Sequence, residues 1–226
     1  MNKNKILAIT IDEIIRDFNE QFDNIYRKKF MKNPGLDNMK KNFEVVLEDE
    51  QEEEFKRLEE KANALIHLPI TTESLINHYE FDSYSAYESF LENHSLELYG
   101  SAGQIPGGMQ ETNKLYFNKT KIGLEDVILV CPGNNQKIIS TLHFLVKTGC
   151  KVGHIIFLSD LSEIWNYSNI VITDRPEIIN SAPEGSKIIK VEKEYNKKLS
   201  SNATINSLKE LEITKFTNLL LNNKYE

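Results

Sequence analysis

The residues best placed to do chemistry stand in the turn Thr10-Ile11-Asp12-Glu13. An apolar run, Ile6 to Ile9, leads into it, and a helical pattern with Ile14, Ile15, Phe18 and Phe22 leads out. That is a buried strand, a polar turn and a helix, the opening of an α/β unit. Ligands of such units bind at the polar turns beyond the carboxyl ends of the strands. On the residues alone Asp12 reads as the cap of the following helix. A second turn, Gly133-Asn134-Asn135, follows the apolar run Val127 to Cys131 and offers backbone N–H groups to an anion. The Cys131 thiol has no histidine placed beside it by sequence. His67, His78, His94, His143 and His154 are dispersed, with no metal-ligand spacing.

Composition narrows the function classes. The chain has 226 residues, enough to bury a full core as one large domain or as a core with an insertion. With 40% hydrophobic and 27% charged residues it reads as a soluble globular protein. A net charge of −7 argues against a general binder of nucleic-acid backbones. No apolar run approaches the ~20 residues that span a bilayer, and no secretory signal pattern opens the chain. The two cysteines, Cys131 and Cys150, read as buried free thiols, which places synthesis in a reducing, cytoplasmic compartment.

The elements that must position the turn follow in order. A long amphipathic helix is expected from Asp12 to about Phe30, stopped by Asn33-Pro34-Gly35. A second helical stretch, Phe43 to Ala64, carries an acidic run from Glu48 to Glu54. Helix starts are expected near Thr71 and Ser83, and a loop from Gly100 to Gly108. Val127–Cys131, His154–Leu158, Asn169–Ile172 and Lys187–Val191 then alternate with helical or turn segments. With the opening strand they predict a five-stranded parallel sheet covered on both faces. The expected division is a core of residues 1–16 and 125–197, a mainly helical cap insertion of residues 17–124, and a C-terminal tail helix in residues 198–226.

This layout resembles the haloacid-dehalogenase (HAD) superfamily. The first motif is similar to its apolar strand followed by Asp-x-Asp, in the form found in the often phage-encoded 5'(3')-deoxyribonucleotidase-like branch. Ile170-Val-Ile-Thr-Asp-Arg-Pro176 is similar to that branch's Asp-Asp-Arg-Pro motif. The resemblance implies a Rossmann-like three-layer α/β core with a helical cap after the first motif. It further implies an Asp nucleophile at position 10, an acid/base at Asp12, a hydroxyl at position 131, a Lys before the fourth strand, and a metal held with Asp174. The chain departs at Thr10, Cys131 and Thr173, and residues 153–170 hold no Lys or Arg.

From these departures the chain is expected not to be an enzyme. It reads as a catalytically degenerate HAD-fold protein that serves as a structural, assembly or binding subunit, with a phage virion role implied by the resemblance. Thr10, Asp12, Cys131 and Thr173 are then vestigial motif positions, and Asp12 and Asp174 a vestigial metal pair. No cofactor is expected, and other protein subunits or self-assembly are expected through the cap and the tail, whose Leu208, Leu211, Phe216, Leu219 and Leu220 form an apolar stripe. The alternatives are a Mg²⁺-dependent 5'-nucleotidase-like phosphohydrolase and a non-catalytic nucleotide or phosphate sensor.

Overall fold

The computed structural model describes residues 5–30, 53, 56, 72–133, 135–211 and 216–217. Its centre is strand β1 (Ile6–Thr10), flanked by β4 (Asp126–Pro132) and β6 (Ile170–Thr173). With β5 (His154–Leu158), β7 (Lys187–Val191) and β8 (Ala203–Ile205) they form a six-stranded sheet in the order β5-β4-β1-β6-β7-β8. Every pairing in it is parallel. The near-continuous apolar runs of β1, β4 and β6 follow from this, because both faces of a parallel sheet are covered.

Alternate residues serve two cores. Leu7, Ile9, Leu129, Cys131 and Ile172 face helices α4 (Gly108–Asn118) and α5 (Asn135–Lys147), meeting Met109, Leu115, Phe144 and Leu145. Ala8, Ile128, Val130 and Val171 face the other layer, meeting Ile164 of a 3₁₀ turn and Ile178 of the short helix α6 (Pro176–Asn180). The three-layer α/β arrangement expected from the sequence is therefore present, with six strands rather than five.

The sixth strand is the correction. The sequence predicts a C-terminal tail helix in residues 198–226, yet Ala203–Ile205 pairs with Ile189–Val191, and Ala203 and Ile205 are buried. Leu208, Leu211 and Phe216 pack into the same cluster as α4 and α5, so this part of the tail's apolar stripe is buried within the chain. Leu219 and Leu220 lie outside the described residues, as do the Asn33-Pro34-Gly35 stop and most of the 43–64 stretch. Of the acidic run only Glu53 is described, and it is exposed.

The cap leaves the core through a ribbon. Strand β2 (Arg16–Asp17) pairs antiparallel with β3 (Gly103–Gln104), so the exit and the return lie side by side. Between them α1 (Phe18–Phe30), α2 (Thr72–Tyr79) and α3 (Tyr84–Asn93) share a separate aromatic-rich cluster built on Phe18, Phe22, Tyr79, Tyr87, Phe90 and Tyr99. Ser83 caps α3, its hydroxyl accepting from the Ala86 N–H. Helix α4 lies after β3 and packs its apolar side on the sheet, although the sequence division had placed it within the insertion.

A close approach holds α4 to the turn after β1. A methyl group on Gly108 would stand 2.6 Å from the Ile14 carbonyl oxygen and 3.0 Å from the Ile15 Cα. Gly108→Ala should therefore lower stability by about 1–3 kcal/mol, the usual cost of overpacking. Gly103→Ala, whose nearest neighbour lies 3.9 Å away, should cost far less. Urea midpoints of the two variants against the parent chain check the contrast.

Candidate functional site

The opening helix does not start at Asp12. After β1 the chain makes a wide turn in which the N–H groups of Ile15 and Arg16 both donate to the Ile11 carbonyl, at 2.9 and 3.0 Å. Glu13 sits at φ 61, a left-handed conformation that a non-glycine residue adopts at a cost and that breaks a helix. The turn ends in β2, and α1 begins only at Phe18.

The turn is held by a buried ion pair. Arg16 is 0% exposed, and its Nε donates to Asp12 Oδ1 at 2.6 Å. Its other nitrogens reach three further elements. Nη1 donates to the Tyr99 carbonyl of the cap at 2.9 Å and to Thr141 Oγ1 of α5 at 3.0 Å, and Nη2 donates to Cys131 Sγ of β4 at 3.3 Å. The rings of Tyr99 and Phe144 lie 5.0 and 5.4 Å from the guanidinium carbon, both within cation–π range.

The second half of the site comes from β6. In the strand order the chain runs from β1 outward to β4 and β5, then returns to the other side of β1 at β6. The carboxyl ends of β1 and β6 are thus the topological switch point, where α/β sheets bind ligands. Thr10 and Thr173 meet there, with Oγ1 of Thr10 donating to Oγ1 of Thr173 at 3.2 Å. Asp174 follows, 0% exposed, and accepts a short hydrogen bond from the Tyr195 hydroxyl. Burial and the Asp174 carboxylate push the Tyr195 phenol up, which keeps it a donor.

Arg175 stands between the two acids. Its Nη2 is 3.6 Å from Asp12 Oδ2 and its Nε 3.7 Å from Asp174 Oδ1, and it is 3% exposed. Glu13 is beside them, 8% exposed, accepting from the Asn19 N–H at 2.9 Å, with Lys193 Nζ 3.8 Å from its other oxygen. Burial is the largest influence on the Glu13 carboxyl, with Asp174 and Asp17 acting in the same direction, and it is pushed up to about 7.

The structure therefore gathers Thr10, Asp12, Thr173 and Asp174, and places Cys131 behind Arg16, which bridges it to Asp12. Thr10 is on the Ala8 face of the sheet, whereas Cys131 is on the Ile9 face, at Arg16. Burial pushes the Cys131 thiol up to about 11, so it is a neutral acceptor and not a nucleophile. Asn134 of the candidate anion turn lies outside the described residues. The sequence reading missed the roles of Arg16, Arg175 and Tyr195. The Asp12–Arg16 spacing of four stands in the sequence, but spacing alone does not reveal that the pair is buried. Arg175 was visible in Thr173-Asp174-Arg175-Pro176 as a motif letter without a task.

The Mg²⁺ implied by the nucleotidase resemblance does not fit these residues. Mg²⁺ needs a near-octahedral set of oxygens at about 2.0–2.1 Å. Here Asp12 Oδ1 is taken by Arg16, Asp174 Oδ2 by Tyr195, and a guanidinium lies between the two remaining oxygens. Among the described residues no group of three or more His, Cys, Asp and Glu side chains is gathered for a metal.

No protein-family model and no curated protein matches the chain. Solved structures match it in fold. A Bacteroides fragilis protein classed as a haloacid dehalogenase-like hydrolase superposes with a TM-score of 0.57 at 12% identity, covering 93% of this chain and 100% of that one. An L-2-haloacid dehalogenase from Xanthobacter autotrophicus, with chloropropionic acid covalently bound, gives 0.50 at 10% identity over 97% and 99% of the two chains. A dehalogenase with an intermediate complex gives 0.50 at 12% identity over 93% and 96%. The fold is that of HAD hydrolases. The likeness is to the superfamily and reaches neither the deoxyribonucleotidase branch nor a phage origin. It also overturns the expectation that the chain is not an enzyme, since the structures sharing its fold are hydrolases and dehalogenases.

Glu13 yields a signed pH dependence. Between its ordinary value of 4.5 and about 7 the folded state holds a proton that the unfolded state has released. Stability must then fall as pH rises through that window and level off above it, by about 3 kcal/mol in all. Glu13→Gln should flatten this part of the profile and stabilise the chain at pH 8, as read by urea denaturation at pH 5 and pH 8.

Proposed function

We propose that the chain is a hydrolase of small anionic substrates, with phosphomonoesters as the substrate class. The observation that carries this reading is one cluster at the switch point: the Arg175 guanidinium flanked by Asp12 and Asp174, the paired Thr10 and Thr173 hydroxyls at the Arg175 backbone N–H, and Glu13 near Asp174. A guanidinium recognises a tetrahedral oxyanion through planar, paired donors, and two hydroxyls add neutral ones. The HAD-hydrolase fold supports the same reading.

The chemistry differs from that of the aspartyl members of the fold. Thr10 has no carboxylate, so no aspartyl ester forms at that position. Water is the nucleophile in this proposal. Its oxygen bonds to phosphorus as the bond from phosphorus to the ester oxygen breaks. The Glu13 carboxylate takes the water's proton and returns it to the leaving oxygen, a role suited to a carboxyl that titrates near neutrality. Arg175 balances the charge on the phosphoryl oxygens. In the structure Thr10, Asp12, Thr173, Asp174 and Arg175 are all buried, so substrate enters when the cap moves away from α5.

The test is a turnover assay with p-nitrophenyl phosphate, a set of short phosphomonoesters and 2-chloropropionate. Phosphate release is expected, and Glu13→Gln should lower it by about 100-fold or more. Release of chloride alone would move the substrate class to haloacids. Absence of turnover across all of these substrates would sink the hydrolase reading.

A further inference from the structure

We propose that Arg175 is a built-in cation that occupies the place between Asp12 and Asp174 where a divalent metal would otherwise bind, making the site metal-independent. This deepens the hydrolase reading and rests on it for what the site is used for. The occupation of the site by Arg175 is a separate, binding-level statement.

Three observations on the two acids carry the inference. Each carboxylate has one oxygen committed elsewhere, Asp12 to Arg16 and Asp174 to Tyr195. The other oxygen of each is the one that lies nearest Arg175, at 3.6 and 3.7 Å. Asp174 Oδ1 is buried and accepts no hydrogen bond among the described residues, so its charge is met electrostatically, as it would be by an ion. A buried carboxylate left without a counter-charge is strongly unfavourable, and the guanidinium supplies one.

The local backbone keeps Arg175 in place. Its N–H donates to Thr173 Oγ1 at 3.1 Å, and Pro176 begins α6 directly after it. Asn196 donates to the Asp174 carbonyl at 2.8 Å, fixing the same stretch from the other side. An arginine does not release its proton under any condition in which the protein folds, so the charge is permanent. A doubly charged ion entering between the same two oxygens would meet that charge at contact distance. Arg175 is thereby also the group that decides whether such an ion binds.

Terbium luminescence reads this directly, because the Tyr195 ring adjoins Asp174 and can sensitise a lanthanide held there. The parent chain should give no saturable signal with Tb³⁺ and no rise in melting temperature with Mg²⁺ or Mn²⁺. Arg175→Ala should open the site, giving saturable luminescence with half-saturation at least about tenfold tighter than any signal of the parent, and a melting temperature that rises with Mn²⁺. Asp174→Asn in the Arg175→Ala background should abolish both. Saturable binding by the parent that Asp174→Asn removes would overturn the inference, as would a folded Arg175→Ala that binds nothing. Arg175→Met is the second variant, retaining bulk without charge, with the same expected gain. Should neither variant fold, the parent titration decides, a flat trace supporting the inference and a saturable one that Asp174→Asn removes overturning it. A parent chain without turnover but with this binding pattern would sink the hydrolase reading and leave Arg175 in its place.

Discussion

The buried pair of Asp12 and Arg16 is the interaction on which the rest depends. A guanidinium enclosed by protein is tolerated only when its charge and its donors are all met. Here one side chain meets that demand with the β1 turn, the end of β4, helix α5 and the cap carbonyl of Tyr99. Truncating either partner would leave the other buried and charged, at a cost of about 3–5 kcal/mol. The pair therefore sets the shape of the turn, and the turn sets where Asp12, Glu13 and the start of the cap are placed.

That arrangement gives the neighbouring acids different duties. Asp12 is committed on one oxygen to Arg16 and presents the other toward Arg175. Glu13, one residue on, is turned out of the helical path by its left-handed backbone and shares its surroundings with Asp174 and Lys193. Adjacent carboxyls thus differ in counter-charge, Asp12 meeting two guanidinium groups and Glu13 one more distant ammonium. The cost of desolvating Glu13 is carried by the fold as lost stability at neutral pH, a pattern common at functional sites.

Much of the fold was legible because its signals are local. Continuous apolar runs marked β1, β4, β5, β6 and β7, and Ser83 marked the start of α3. Strand β8 was not legible, since Ala203-Thr204-Ile205 is too short and too mild to separate from a polar tail, and only its pairing with β7 defines it. Residues 12–16 fall within the helix the sequence predicts because Ile14, Ile15, Phe18 and Phe22 have helical spacing. The competing term was tertiary: the hydrogen bonds of Arg16 to three distant groups cannot be seen in local periodicity. At the site the positions of Thr10, Thr173 and Asp174 followed from the resemblance. The expectation of inactivity rested on the departures at Thr10, Cys131 and Thr173, and the hydrolase and dehalogenase structures that share the fold overturn it. Arg175, with the charge to stand between the two acids, was already in the same motif.

The β2–β3 ribbon has a consequence for how such a chain can change. Everything between Asp17 and Gly103 enters and leaves the core through two paired residues on each side. The sheet registers therefore do not depend on what lies between them. For a flexible segment, doubling its length adds only about 0.6 kcal/mol of closure entropy once its ends are fixed. A segment mounted in this way is a graft on a fixed stem. Its length and its helices can be replaced while the strands keep their places, provided that the replacement still offers Arg16 an acceptor where the Tyr99 carbonyl now stands.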